Sequence, residues 1–157
     1  MANPTLWSEL QGTFIADLKT TRLLQGALKK ERATLEKRQY DQLDAIIALK
    51  AQLLEKLQQQ IMVRQQLFQS AGFQQESEAL EAAQQEAPSV AKAWQQIAEQ
   101  WQICQELSVI NEGIVQRTRQ VVGQTLDLLR GQQGQQKLYS PSGEAQSSQP
   151  GRSITSA

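Results

Sequence analysis

Glu76, Glu78 and Glu81 form an acidic cluster, and paired carboxylates are the raw material of general acid–base catalysis. The segment around them has almost no large hydrophobic residue, so nothing there desolvates a carboxylate and raises its pKa. The cluster therefore reads as a solvated face. Cys104 falls among apolar positions with no cationic neighbour, which makes it a buried structural thiol rather than a nucleophile. Histidine is absent from the 157 residues. Its absence removes Ser-His-Asp and Cys-His catalysis, zinc sites of the Cys/His kind and the Glu-x-x-His pairs of ferritin-like bundles. Gly131-Gln132-Gln133-Gly134 lacks the Lys-Ser/Thr that completes a phosphate loop. No enzyme activity, no cofactor and no metal site is expected.

Composition narrows the remaining classes. A length of 157 residues suits one domain. Sixteen Lys+Arg balance sixteen Asp+Glu, so the chain lacks the cationic excess that nucleic-acid binding requires. One cysteine forms no internal disulfide, and nothing argues for an oxidising compartment. The N-terminal MANPTLWSEL lacks the basic and apolar regions of a secretory signal. The longest apolar run, Ala45–Leu49, is far too short for membrane insertion. A soluble, cytoplasmic binding protein is the expected class.

The elements that position any binding surface are helical. Asn3-Pro4 is an N-cap followed by proline at the first helical position. Trp7, Leu10, Phe14, Leu18, Thr21, Leu24, Leu28 and Leu35 then recur at steps of three, four or seven, predicting a helix over 4–38. A polar run, Glu36 to Gln39, precedes either a break near Gln39–Asp41 or a bend in one continuous helix, and Asp41 with Asp44 offers a capping-box-like start for a second helix over 41–70. That helix carries Leu43, Ile47, Leu54, Leu57, Ile61 and Phe68 at heptad spacing, interrupted by Lys50 and Arg64. Gly72 supplies its stop. A short helix is possible over 75–86. Pro88 ends it, and Ser89 caps the longest helix, over 89–130. Its core-facing residues are predicted as Trp94, Ile97, Trp101, Cys104, Leu107, Ile110, Ile114, Val121, Leu128 and Leu129. Trp94 and Trp101 share a face, either as core or as a partly exposed anchor for a partner helix. Asn111 at a seam position sets register or marks a wet face. Gly113 and Gly123 suggest close backbone approach, a kink or local looseness.

Together these signals predict an all-α fold, an elongated, mainly antiparallel three-helix bundle with coiled-coil-like packing and a flexible C-terminal tail. Seven basic residues against two acidic over Lys19 to Arg38, and seven acidic against Lys92 alone over Glu76 to Glu112, either favour one pairing of helices over others or are two solvated faces that never meet. Of the 27 residues over 131–157, 18 are Gly, Pro, Ser or Gln, a composition that cannot offset its ordering entropy. Within that tail, Leu138-Tyr139-Ser140-Pro141-Ser142-Gly143 has the form of a short linear binding motif.

Three features resemble the flagellar type III export chaperones of the FlgN family. One is the amino-terminal helix followed by a Gln/Glu/Leu-rich helix carrying Ala48–Leu57 (ALKAQLLEKL). The second is a Trp-containing third helix reaching Asn111-Glu112-Gly113, with Glu112 where the family usually has Asn before Gly. The third is the Leu138-Tyr139 segment ending in Gly143, similar to the family's Leu-Tyr-x-x-x-Gly. The resemblance covers nearly the whole chain. It implies a cytoplasmic chaperone that binds hook-associated (hook–filament junction) proteins, prevents premature assembly and delivers them to the flagellar export apparatus. By the same resemblance Leu138, Tyr139 and Gly143 are candidates for docking at the export gate. The late third helix, at Val115, Val122, Leu126 and Leu129, is the candidate substrate-protein site, in a monomer or weak dimer. The alternative is a self-associating coiled-coil structural or adaptor protein without a client.

Overall fold

The structure is a computed structural model and describes residues 3–138, of which 132–138 by backbone alone. Among the described residues there are four α-helices and no strand: α1 (Pro4–Glu36), α2 (Leu43–Ser70), α3 (Glu76–Glu86) and α4 (Pro88–Leu138), with a 3-10 turn at Tyr40–Gln42. The chain divides into two units, Met1–Val115 and Gln116–Ala157.

Local chemistry explains where most helices begin and end. Asn3 accepts a hydrogen bond from the Thr5 amide at 3.1 Å, and Pro4 occupies the first position of α1. α1 stops at Glu36 because Arg38 takes a positive φ of 56°, and the Gln39 amide then bonds back to the Thr34 carbonyl at 3.0 Å. Gly72, at φ 88°, does the same for α2 without the Cβ penalty. There the amides of Gly72 and Phe73 reach the carbonyls of Gln69 and Phe68, and the Phe73 ring meets that of Phe68 edge-on at 6.5 Å.

Three sequence expectations change. Asp41 lies inside the 3-10 turn, and α2 starts at Leu43 without a side-chain cap, because the turn already supplies the entry hydrogen bond from Gln42 to Gln39. α4 starts at Pro88 rather than after Ser89, since proline is favoured at a first helical position. It also runs past Arg130 to Leu138. Glutamine is a good helix former, so a shift toward Gln does not stop a helix.

Two apolar clusters fill the first unit. In one, Leu6, Trp7, Leu10 and Phe14 of α1 meet Phe68 of α2, Ala79 and Ala83 of α3 and Val90 of α4, with Trp94 and Ile97 against them. Trp94 stacks on Phe68 at 5.5 Å and tilts against Phe14 at 5.1 Å. In the other, Leu24, Ala27 and Leu28 of α1 meet Leu53 and Leu57 of α2 and Cys104 of α4, with Leu107 beside them. Trp94, Ile97, Cys104 and Leu107 therefore face inward as the spacing predicts. Trp101, Ile110, Val121, Leu128 and Leu129 do not: all five are exposed. Helical periodicity tells which residues share a face, and only a neighbouring element decides whether that face is covered.

Candidate protein-binding surface

Buried polar residues join the apolar clusters in holding α4 against α1 in the first unit. Asn111 is buried, and its amide nitrogen donates to the Leu28 carbonyl and to Glu31 Oε1, both at 2.9 Å. Glu31 Oε2 in turn accepts from Lys50 Nζ at 2.7 Å. One residue from each of α1, α2 and α4 thus shares a polar layer, and the two acceptors orient the Asn111 amide. That outcome selects the register reading of Asn111 over the wet-face one. Nearer the start of α1, Asp17 and Arg64 form a buried ion pair, and the Arg64 guanidinium lies 5.1 Å from the centre of the Phe14 ring. Burial pushes the Asp17 carboxyl above its ordinary 3.8, and the Arg64 charge and hydrogen bond oppose that rise only in part.

Lys50 and Arg64 interrupt the apolar seam of α2 in the sequence and are its polar rivets in the fold. Asp17 falls three residues after Phe14 and four before Thr21, on the core stripe of α1. A core-position acid on one helix and a core-position base on the next is the signal that sequence reasoning missed. The charge blocks of Lys19–Arg38 and Glu76–Glu112 are not joined: the three ion pairs among the described residues are Asp17–Arg64, Glu31–Lys50 and Arg32–Glu36.

The chemistry-bearing groups considered from sequence take structural places. Cys104 is buried, its thiol donates to the Thr21 carbonyl at 3.5 Å, and burial raises its pKa. Glu78 accepts from the Gln74 amide at 3.0 Å ahead of α3, and Glu86 accepts from the Trp7 indole N–H at 3.3 Å. An added Cβ at Gly113 or Gly123 would meet no atom within 4 Å, which disposes of close backbone approach among the described residues.

The candidate substrate-protein residues lie on α4 in different settings. Val115 is half-buried and closes the first unit. Val122, Leu126 and Leu129 belong to the second unit, where they are 51%, 47% and 50% exposed at i, i+4 and i+7. Val121 and Leu128 extend the exposed apolar surface beside them. Leu138 is the last residue of α4. Tyr139 and Gly143 lie outside the described residues. A cleft of about 680 Å³ between α1 and α2, lined by Gly12, Thr13, Ala16, Val63 and Leu67 among others, is not anticipated by the sequence reading. Gly12, four residues from Ala16, is its one signal in the sequence.

Among the described residues the chain is all-helical, with polar rivets in its interior and an exposed apolar face on late α4. The family model for FlgN protein matches residues 1–147 of the chain. The chain belongs to the FlgN family. No curated protein and no solved structure matches it. FlgN-family proteins are flagellar export chaperones, a family role that implies binding of flagellar export substrates. No helix among the described residues of this FlgN-family protein is long and apolar enough to cross a membrane.

Proposed function

We propose that this FlgN-family protein is a cytoplasmic chaperone that binds hook-associated proteins before export, prevents their premature assembly and delivers them to the export gate. α1, α2 and the first part of α4 serve as a mainly antiparallel three-helix bundle with coiled-coil-like packing. Two sets of contacts support that arrangement. Early α1 meets late α2 through Asp17 and Arg64, and late α1 meets early α2 through Glu31 and Lys50. The observation that carries the functional reading is the apolar face of Val122, Leu126 and Leu129, left exposed on a helix of a chaperone-family chain. An amphipathic helix from an assembly-prone client, laid against that face, would have its own apolar stripe covered until release. Leu138, Tyr139 and Gly143 serve separately, as the docking segment for the export apparatus.

The test is co-purification with hook-associated proteins. Full-length protein is expected to retain one, and deletion of residues 115–157 to lose it. Tyr139→Ala is expected to keep capture in solution while export fails in cells. Failure of full-length protein to hold any hook-associated protein at micromolar concentration overturns the reading. A tight, concentration-independent dimer or tetramer alongside that failure establishes the self-associating coiled-coil alternative.

A further inference from the structure

The charges around the exposed face of α4 say what kind of helix it accepts, an inference that rests on the client-binding reading above. Over residues 116–131 the charged residues are Arg117, Arg119, Asp127 and Arg130. Wound at about 100° per residue, Val121, Val122, Thr125, Leu126, Leu128 and Leu129 occupy an arc of roughly 160°. Arg117 falls about 20° beyond one edge of that arc, and Arg119 and Arg130 about 20° and 40° beyond the other. Asp127, the one acid of the stretch, falls on the opposite side, about 180° from the middle of the arc. All four are exposed, and none forms an ion pair among the described residues.

We propose that Val122, Leu126 and Leu129, flanked by Arg117, Arg119 and Arg130, form a docking face selective for amphipathic helices whose apolar stripe is bordered by acidic side chains. The apolar residues supply contact that any amphipathic helix could use. The arginines supply discrimination: they lie where the edges of a docked helix would come, and their forked guanidinium groups pair carboxylates through two hydrogen bonds. A lysine-bordered helix would bring like charges together at both edges, which disfavours it. Charges at the rim of an interface act chiefly on association rate and are screened by salt. Selectivity is therefore greatest at low ionic strength.

Two synthetic amphipathic helices with one shared apolar stripe, bordered by glutamates in one and lysines in the other, are titrated against the full-length chain. The glutamate-bordered helix is expected to bind about tenfold or more tighter at low salt, with the gap shrinking near 0.5 M salt, where the Debye length is only about 4 Å. The triple variant R117E/R119E/R130E, checked for unchanged helicity, is expected to reverse the preference. Equal binding of both peptides, or a preference untouched by the triple variant, overturns the proposal. So does a wild-type chain whose face is already occupied by a second copy, seen as a dimer that the triple variant dissolves. V122S/L126S/L129S separates this from the broader reading. If it loses a hook-associated protein while R117E/R119E/R130E retains it fully, client capture stands and charge selection falls. If both variants retain the client, client capture stands but uses another surface, and the docking-face proposal falls.

Discussion

α4 carries apolar residues at helical spacing along two stretches, and the two meet opposite conditions. In the first unit, Val90 and Cys104 are buried, and Trp94, Ile97 and Leu107 are packed against the two apolar clusters. In the second unit, Val122, Leu126 and Leu129 repeat much the same spacing and face solvent. The covered stretch is distinguished by what lies among its apolar residues. Asn111 commits its amide to α1, and Cys104 gives its thiol to the Thr21 carbonyl. The exposed stretch has threonine at the comparable heptad places, 118 and 125, and the Thr125 hydroxyl donates to the Val121 carbonyl of its own helix. Apolar pattern alone makes a face sticky. Polar groups that need a particular partner make it faithful to one neighbour.

The contrast breaks most sharply where the covered stretch loses its floor. Phe14→Ala removes the ring that meets both Trp94 and the Arg64 guanidinium, and is expected to cost about 3–5 kcal/mol in urea unfolding. Arg64→Ala leaves Asp17 buried and unpaired, with an expected loss of the same order, about 3–5 kcal/mol. Asp17 itself gives this pair a pH signature. Its folded-state pKa is raised, so its contribution to stability is fully present below 3.8 and is lost as pH rises through the elevated value. The stability of the wild type relative to Asp17→Asn should therefore fall across that window and stay level above it. A difference that grows with pH would reverse the sign of the shift.

Smaller changes sharpen the comparison. Asn111→Ala removes α4 from the polar layer and leaves buried Glu31 Oε1 without its donor, with an expected loss of about 1–3 kcal/mol in the same assay. Gly123→Ala has open space for its methyl group and should stabilise α4 by up to about 1 kcal/mol, read as increased helicity. Leu126→Ala should change unfolding stability by no more than about 0.5 kcal/mol, because its side chain is already in water, while client retention falls. A large stability loss from Leu126→Ala would make the second stretch structural and erase the contrast.

Much of this architecture is legible in the amino-acid sequence. The N-cap at Asn3, the stop at Gly72 and the inward rows of α1 each follow from a residue type at a spacing that has one good physical use. That Val122, Leu126 and Leu129 share one side of α4 is legible too, because their spacing puts them together on any helix that contains them. Lys50 and Arg64 are opaque for a definite reason. Their partners lie 19 and 47 residues away on another helix, and a charge in an apolar row reads as a fault until its counter-ion is found. Coverage is opaque as well. Trp101, Val121 and Leu128 obey the helical period as faithfully as Trp94, and periodicity carries no information about what stands opposite.

The polar layer also sets an order of assembly. Glu31 and Lys50 are separated by 19 residues, whereas the bonds from Asn111 and Cys104 back to α1 span 80 to 83. Closing the longer loops costs more chain entropy, and contacts distant in sequence form slowly. The α1–α2 hairpin should therefore nucleate folding, with α4 docking last. Mutations at the Glu31–Lys50 pair would slow refolding, and mutations at Cys104 would mainly speed unfolding, which stopped-flow kinetics of the two sets would read directly. During synthesis the aromatic rings of Phe14 and Phe68 would then wait uncovered until Trp94 has left the ribosome, so this helper of other chains passes through an interval in which its own interior needs protection.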